Sequence, residues 1–226
     1  MPNKGIDPTS QVVGYHVSQR ARVMPNTLDR SRKGSRLSVP TVHKAWALYL
    51  RDNTRGVPSV RKFYDDDESH SIDVFSSTDT DGVVSATIGL MDIDIKAASA
   101  PESIFTEILI DSSNGGDTVG NVLSTVAFYV IKDGWRPAPG AILERMVEMY
   151  APDLAVKHLL FVPPFQWSNN EMTRVELEGK SVLPLLGVPI TDSERDFAYE
   201  HGSDALERAM EQAGVDIYDW HRVGSV

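Results

Sequence analysis

Apolar positions recur along this chain with two periods, one helical and one extended. Val42, Ala45, Trp46 and Tyr49 follow one another at three- and four-residue spacing, which predicts a short amphipathic helix over 41–53 after Pro40. Residues 57–64, 71–75 and 83–90 read as strands, the last two separated by the turn formers Thr78, Asp79, Thr80, Asp81 and Gly82. A fourth strand is predicted over 104–110, followed by a polar, glycine-containing turn through Gly116. Asp117 or Thr118 is then placed to cap a helix over 118–132, with Val122, Leu123, Val126 and Tyr129 or Val130 along one face. Residues 159–162 form a short apolar run closed by Pro163 and Pro164. Two more strands are expected over 173–177 and 182–190, around Gly179 and Lys180.

The C-terminal pattern is the most explicit. Thr191, Asp192, Ser193 and Glu194 spell a capping box, in which hydroxyl and carboxylate satisfy each other's end amides. It opens a helix to Glu200 that Gly202 ends. A second helix starts at Ser203 or Asp204, turns Leu206, Ala209, Met210 and Ala213 inward, and stops at Gly214. Strands outnumber helices and do not alternate strictly with them. That order predicts an α+β fold, a mixed and largely antiparallel sheet flanked by helices.

Composition divides the 226 residues into two parts. Residues 1–40 are rich in Ser, Arg, Asn and Pro, show no sustained period, and carry seven Lys or Arg against two Asp. They read as a disordered basic tail. Residues 41–226 read as a single domain and hold 15 basic against 30 acidic residues, a net of −15. A body so acidic is a poor match for phosphate backbones and steers basic proteins toward itself, so the expected partner is a protein and not nucleic acid. The chain has no cysteine, which removes disulfides, thiolate metal sites and thiol catalysis. No run approaches the roughly 18 apolar residues that span a bilayer, and the N-terminus lacks an apolar signal core. A cytoplasmic protein without a membrane partner is the expectation.

Candidate chemistry is sparse. Asn114, Gly115, Gly116 and Asp117 precede a helix, where anions bind, but lack the spacing of the phosphate-binding loops. The run Asp79, Thr80, Asp81, Gly82 resembles the start of a calcium loop, but Ile88 stands where that loop needs Glu. The six histidines are scattered, with no HExxH pair, and no serine sits in a GxSxG elbow. The expectation is a protein that is not an enzyme and needs no cofactor or metal. Asp65, Asp66, Asp67 and Glu68 form the densest acidic run, and they are the candidate surface for a basic partner.

The aromatic and proline features demand structure more than chemistry. Trp135, Pro137 and Pro139 lie in a stiff loop ending at Gly140. In KHLLFVPPFQW (157–167), Phe161 is expected in the core, Pro163 and Pro164 end the strand, and Phe165 and Trp167 are expected to cover the sheet edge. Trp135 is read likewise, as a lid.

KFYDDDESHSIDV (62–74), SATIGLMD (85–92), VIKDGWRPAPGAI (130–142), KHLLFVPPFQW, LEGKSVLPLLGVPITDSE (177–194) and GSDALERAMEQAGVDIYDWHR (202–222) together resemble the suppressor of fused domain in its short bacterial form. The resemblance covers about 42–226. It implies a mixed α/β sandwich without catalytic residues, in which Trp135, Pro137, Pro139, Phe161, Pro163, Pro164, Phe165, Trp167 and Glu194 belong to the structural motif. It also implies a function through protein binding. Short bacterial members resemble immunity proteins, antitoxins that bind and neutralise a cognate polymorphic toxin, nucleases among them. An intracellular scaffold or regulator that sequesters a peptide segment of its partner is the alternative. Pro184 and Met91 depart from the family pattern, which has an aromatic and a small polar residue at these places.

Overall fold

The computed structural model describes residues 22–23, 39–96, 102–165 and 172–226. In chain order the elements are β1 (Arg22–Val23), α1 (Thr41–Asn53), β2 (Val57–Tyr64), β3 (Ser71–Thr78), β4 (Val83–Ile88), β5 (Ile108–Ser112) and α2 (Thr118–Asp133). β6 (Ile142–Leu143), β7 (Val156–Val162), β8 (Val175–Leu177), β9 (Lys180–Val182), β10 (Leu185–Thr191), α3 (Asp192–His201) and α4 (Ser203–Gln212) complete the chain. Eight strands form one sheet in the order β1-β2-β3-β4-β5-β10-β7-β6, and β8 and β9 make a separate hairpin. Within the large sheet β5 and β10 are parallel, and every other neighbouring pair is antiparallel. The expected mixed, largely antiparallel α+β architecture is the observed one.

Both faces of the sheet are covered, which is why its central strands read as unbroken apolar runs. Ile108 and Ile110 of β5, and Leu159 and Phe161 of β7, pack with α2. Their neighbours Leu109, Leu160 and Val162 turn to the opposite face, with Trp46 and Leu50 of α1 and Leu206 and Met210 of α4. The two-residue period assigns alternate side chains to two cores. α2 carries an apolar surface nearly all round because it is sunk against the sheet, with eleven of its 16 residues buried.

Several expectations shift in detail. The strand expected over 104–110 begins at Ile108 and runs to Ser112, with the buried Glu107 just before it. The strand expected over 182–190 is two: β9 ends at Val182 and β10 begins at Leu185, with Pro184 between them, where it has no ladder amide to withhold. Neither Asp117 nor Thr118 caps α2 through its side chain; Asp117 instead meets Arg61 at 2.9 Å. The Asp79 turn is a hairpin turn, with its carboxylate Oδ1 accepting from the amides of Asp81 and Gly82 at 2.9 and 3.1 Å. Within the region expected as a tail, the described pair Arg22–Val23 adds a short strand to β2. The other residues of 1–38 lie outside the described residues.

Candidate protein-binding surface

The acidic run after β2 does not present four equivalent carboxylates. Asp65 is buried, and its carboxylate organises the β2–β3 turn by accepting from the His70 amide at 3.0 Å and pairing with Lys132 of α2 at 2.9 Å. Burial opposes its ionisation, but the His70 amide and the Lys132 ammonium hold its carboxyl well below the usual range. The part of the run that faces outward is Asp66, Asp67 and Glu68, with Glu68 in the left-handed region at φ 56°. Asp65 therefore shapes the turn, and the outward charge belongs to its three successors.

The motif residues divide the same way. Trp135, Pro137, Phe161, Pro164 and Glu194 are buried, while Pro139, Pro163 and Phe165 are exposed. Trp135 is core and not a lid over the edge, its ring 5.2 Å from that of Phe161. Phe165 is the larger correction: it stands 63 % exposed beyond the end of β7 and covers no edge. Pro163 and Pro164 end the strand, and the backbone then carries Phe165 away from both cores. Trp167 lies outside the described residues.

Glu194 does more than close the capping box. Beyond accepting from the Thr191 amide at 2.9 Å, it takes both Nη atoms of Arg222 at 2.7 and 2.9 Å and the Ser225 amide at 3.0 Å. Burial opposes its charge, but Arg222 and the Thr191 amide prevail and hold its carboxyl below the ordinary value. One carboxylate thus fastens the C-terminal segment to the start of α3.

Two buried groups escaped the sequence reading. Glu107 accepts from the amides of Gly89 and Met91 at 2.7 and 3.1 Å and from Thr87 Oγ1 at 2.5 Å, fixing the turn after β4. Complete burial pushes its carboxyl up to about 8. A lone Glu within the apolar run IFTEILI was the available signal, since such a group enters a core only with partners. His158 of β7 accepts from the Arg145 amide at Nδ1 (3.1 Å), so its Nε2 carries the proton and donates to Asp192 at 3.0 Å. Desolvation, partly offset by Asp192, lowers the ring's pKa. Both ring nitrogens are engaged and the side chain is 1 % exposed, so the pair works as an internal brace and has no free nitrogen for proton transfer.

An open trench lies along α4. It has a volume of about 730 Å³, with Leu160, Val162 and Val188 of the sheet and Met210 of α4 at its base. Phe165 stands at one lip, and Val215 and Ile217 form the wall that follows the helix. Asp204, Glu207 and Glu211 border it from α4 together with Arg208. Burial, and then the neighbouring Asp204, raise the Glu207 carboxyl above its ordinary pKa. Among the described residues, no group of three or more His, Asp or Glu side chains is placed to hold a metal ion, and no helix is long and apolar enough to cross a membrane.

The family described as suppressor of fused protein (SUFU) matches residues 68–223. The chain belongs to this family. The match opens inside the acidic turn, after α1 and β2; β2 pairs within the same sheet as the matched strands, and α1 packs against one face of it. Immunity protein YqcF of Bacillus subtilis (strain 168) is 36 % identical over 170 residues, which span 74 % of this chain and 88 % of that one. A putative SUFU homologue from Neisseria gonorrhoeae superposes with a TM-score of 0.59 at 17 % identity, covering 82 % of this chain and 95 % of that one. Drosophila Suppressor of Fused gives a TM-score of 0.53 at 9 % identity, and here the chain covers half of the neighbour. A Sufu–Fu complex structure matches with the same score and identity. These distant structures share the fold, and the expectation of a suppressor of fused architecture holds.

Proposed function

We propose that this chain is a non-catalytic immunity protein of the cytoplasm, an antitoxin that binds a cognate toxin made beside it and holds it inactive. The observation that carries the reading is the 36 % identity with Immunity protein YqcF over most of both chains. The charge of the body agrees with it: 15 basic against 30 acidic residues beyond position 40 favour a basic partner, and nuclease toxins present basic clefts. The polar groups that most resemble chemistry, Glu107, His158 and Asp192, are occupied in holding turns and strands together. The test is co-expression with the protein encoded beside it. Rescue of a growth defect, with a complex on size exclusion, is the expected result; a toxic neighbour that this chain neither binds nor relieves would reject the reading.

A second reading has one observation in its favour. β2 is bordered on its outer side by β1 at Phe63 and Tyr64, and Val57 and Val60 are 75 % and 53 % exposed. Such an edge accepts an extended segment by strand addition, as a regulator that sequesters a peptide would. A peptide array distinguishes it, because this reading requires linear binders and the first requires a folded toxin.

A further inference from the structure

The trench along α4 combines an apolar base with an acidic border. Its base is apolar and almost closed, with Leu160, Val162 and Val188 each under 5 % exposed, so the exposed apolar area comes from Phe165 at the lip and the half-covered Val215 and Ile217. Its border is predominantly acidic, and Arg208 offsets the charge only in part. Asp204, Glu207 and Glu211 fall at positions i, i+3 and i+7 of α4, which puts them in one row about 10 Å long. None of the three forms an ion pair among the described residues, and Arg208 is the one cation in the rim. By contrast, Asp65 has Lys132, Asp192 has Lys157 and Glu194 has Arg222. Further negative charge stands nearby, since Asp111 and Asp216 both act on Tyr218, another residue of the trench wall.

We propose that the trench is the docking site for a basic, apolar segment of the protein that this chain neutralises, an inference that rests on the immunity reading for the existence of that protein. The segment lays apolar side chains against Phe165, Val215 and Ile217 and sets Lys or Arg opposite Asp204, Glu207 and Glu211. Phe165 supplies the rigid aromatic anchor, a residue type enriched where binding energy concentrates. Glu207 supplies the sharpest demand for a cation. It is half-buried, unpaired and beside another carboxylate, so an incoming ammonium or guanidinium relieves both its desolvation and its repulsion. The row is selective as well as attractive, because an acidic segment meets three carboxylates at close range.

Two experiments test the site and separate its failure from failure of the immunity reading. The first uses this chain alone: amide shifts are followed by NMR during titration with a synthetic amphipathic Leu/Lys peptide and with its Leu/Glu counterpart. Shifts from the Lys peptide confined to residues 160–165, 188 and 204–218 are expected, with affinity at least tenfold weaker in E207K/E211K and no response to the Glu peptide. Shifts spread over the acidic surface, or none in the trench, overturn the proposal. The second uses protection from the neighbouring toxin, comparing wild type with E207K/E211K and with Phe165→Ser, all checked for unchanged thermal unfolding. Loss of protection in the variants supports the trench. Full protection by both variants overturns it and leaves the immunity reading standing, whereas a wild type that fails to protect rejects the immunity reading and leaves the titration to decide the trench.

Discussion

Single ionisable residues set much of this molecule's behaviour, and the direction of each pKa shift says how. Glu194 and Arg222 are a buried, bidentate pair, and removing one partner strands the other without solvent. Arg222→Met should therefore lower the unfolding free energy by about 3–5 kcal/mol, read from urea unfolding at neutral pH. Asp111 works the other way. Burial, reinforced by Asp79 and Asp216, raises its carboxyl to about 6 in the folded chain, above its unfolded value. A raised carboxyl stabilises the fold below the unfolded pKa, and that contribution is lost as pH rises through the folded pKa. Asp111→Asn should then leave stability unchanged near pH 3.5 and raise it, by on the order of 1 kcal/mol after solvent screening, at pH 7.5. Thermal unfolding of both proteins across that range checks it, and a pH-independent difference would reject the assigned cause.

At the scale of elements, β7 joins the two cores, since Leu159 and Phe161 fill one face of the sheet while Leu160 and Val162 fill the other. Phe161→Ala removes a ring that is 0 % exposed and packed against Trp135 at a tilt of 56°, so it should cost about 3–5 kcal/mol in chemical denaturation. An unchanged transition midpoint would show that β7 is not the keystone described here. This element was legible in the sequence because an apolar run closed by two prolines has few other solutions, and the Thr191–Glu194 capping box was legible because its chemistry is local. β6 was not legible, since two residues carry no period and it exists through its pairing with Leu159 and Leu160. The break between β9 and β10 was missed because the apolar pattern continues through it, and the proline that marks it was read only as a departure from the family pattern within one strand. The trench was invisible for a stronger reason. Leu160, Val188, Met210 and Phe165 come from separate elements, and convergence of distant segments is not written in any one of them.

At the scale of the whole molecule the excess of acid over base is arranged and not merely carried. Asp65 and Glu194 are neutralised inside the fold, while Asp66 and Glu68 on one turn and the row on α4 form no ion pair among the described residues, and the exposed Asp67 meets Lys132 only at 3.9 Å. Charges of this exposed kind contribute little to stability, being screened over about 10 Å at ordinary ionic strength. Their influence falls on the rate of encounter with an oppositely charged partner. Association with the cognate toxin should therefore slow by about tenfold or more between 50 and 500 mM salt while the dissociation rate changes little. Stopped-flow association measured over that range checks the first half, and dissociation by competition checks the second. Reversal of the α4 row should flatten the salt dependence and also speed dissociation, because Glu207 is half-buried and a cation held there is desolvated. Reversal of Asp66, Asp67 and Glu68 should flatten the salt dependence alone if that turn only steers. An association rate indifferent to salt in the wild type would mean that neither acidic surface meets the partner, and that the edge of β2 is the surface to mutate next.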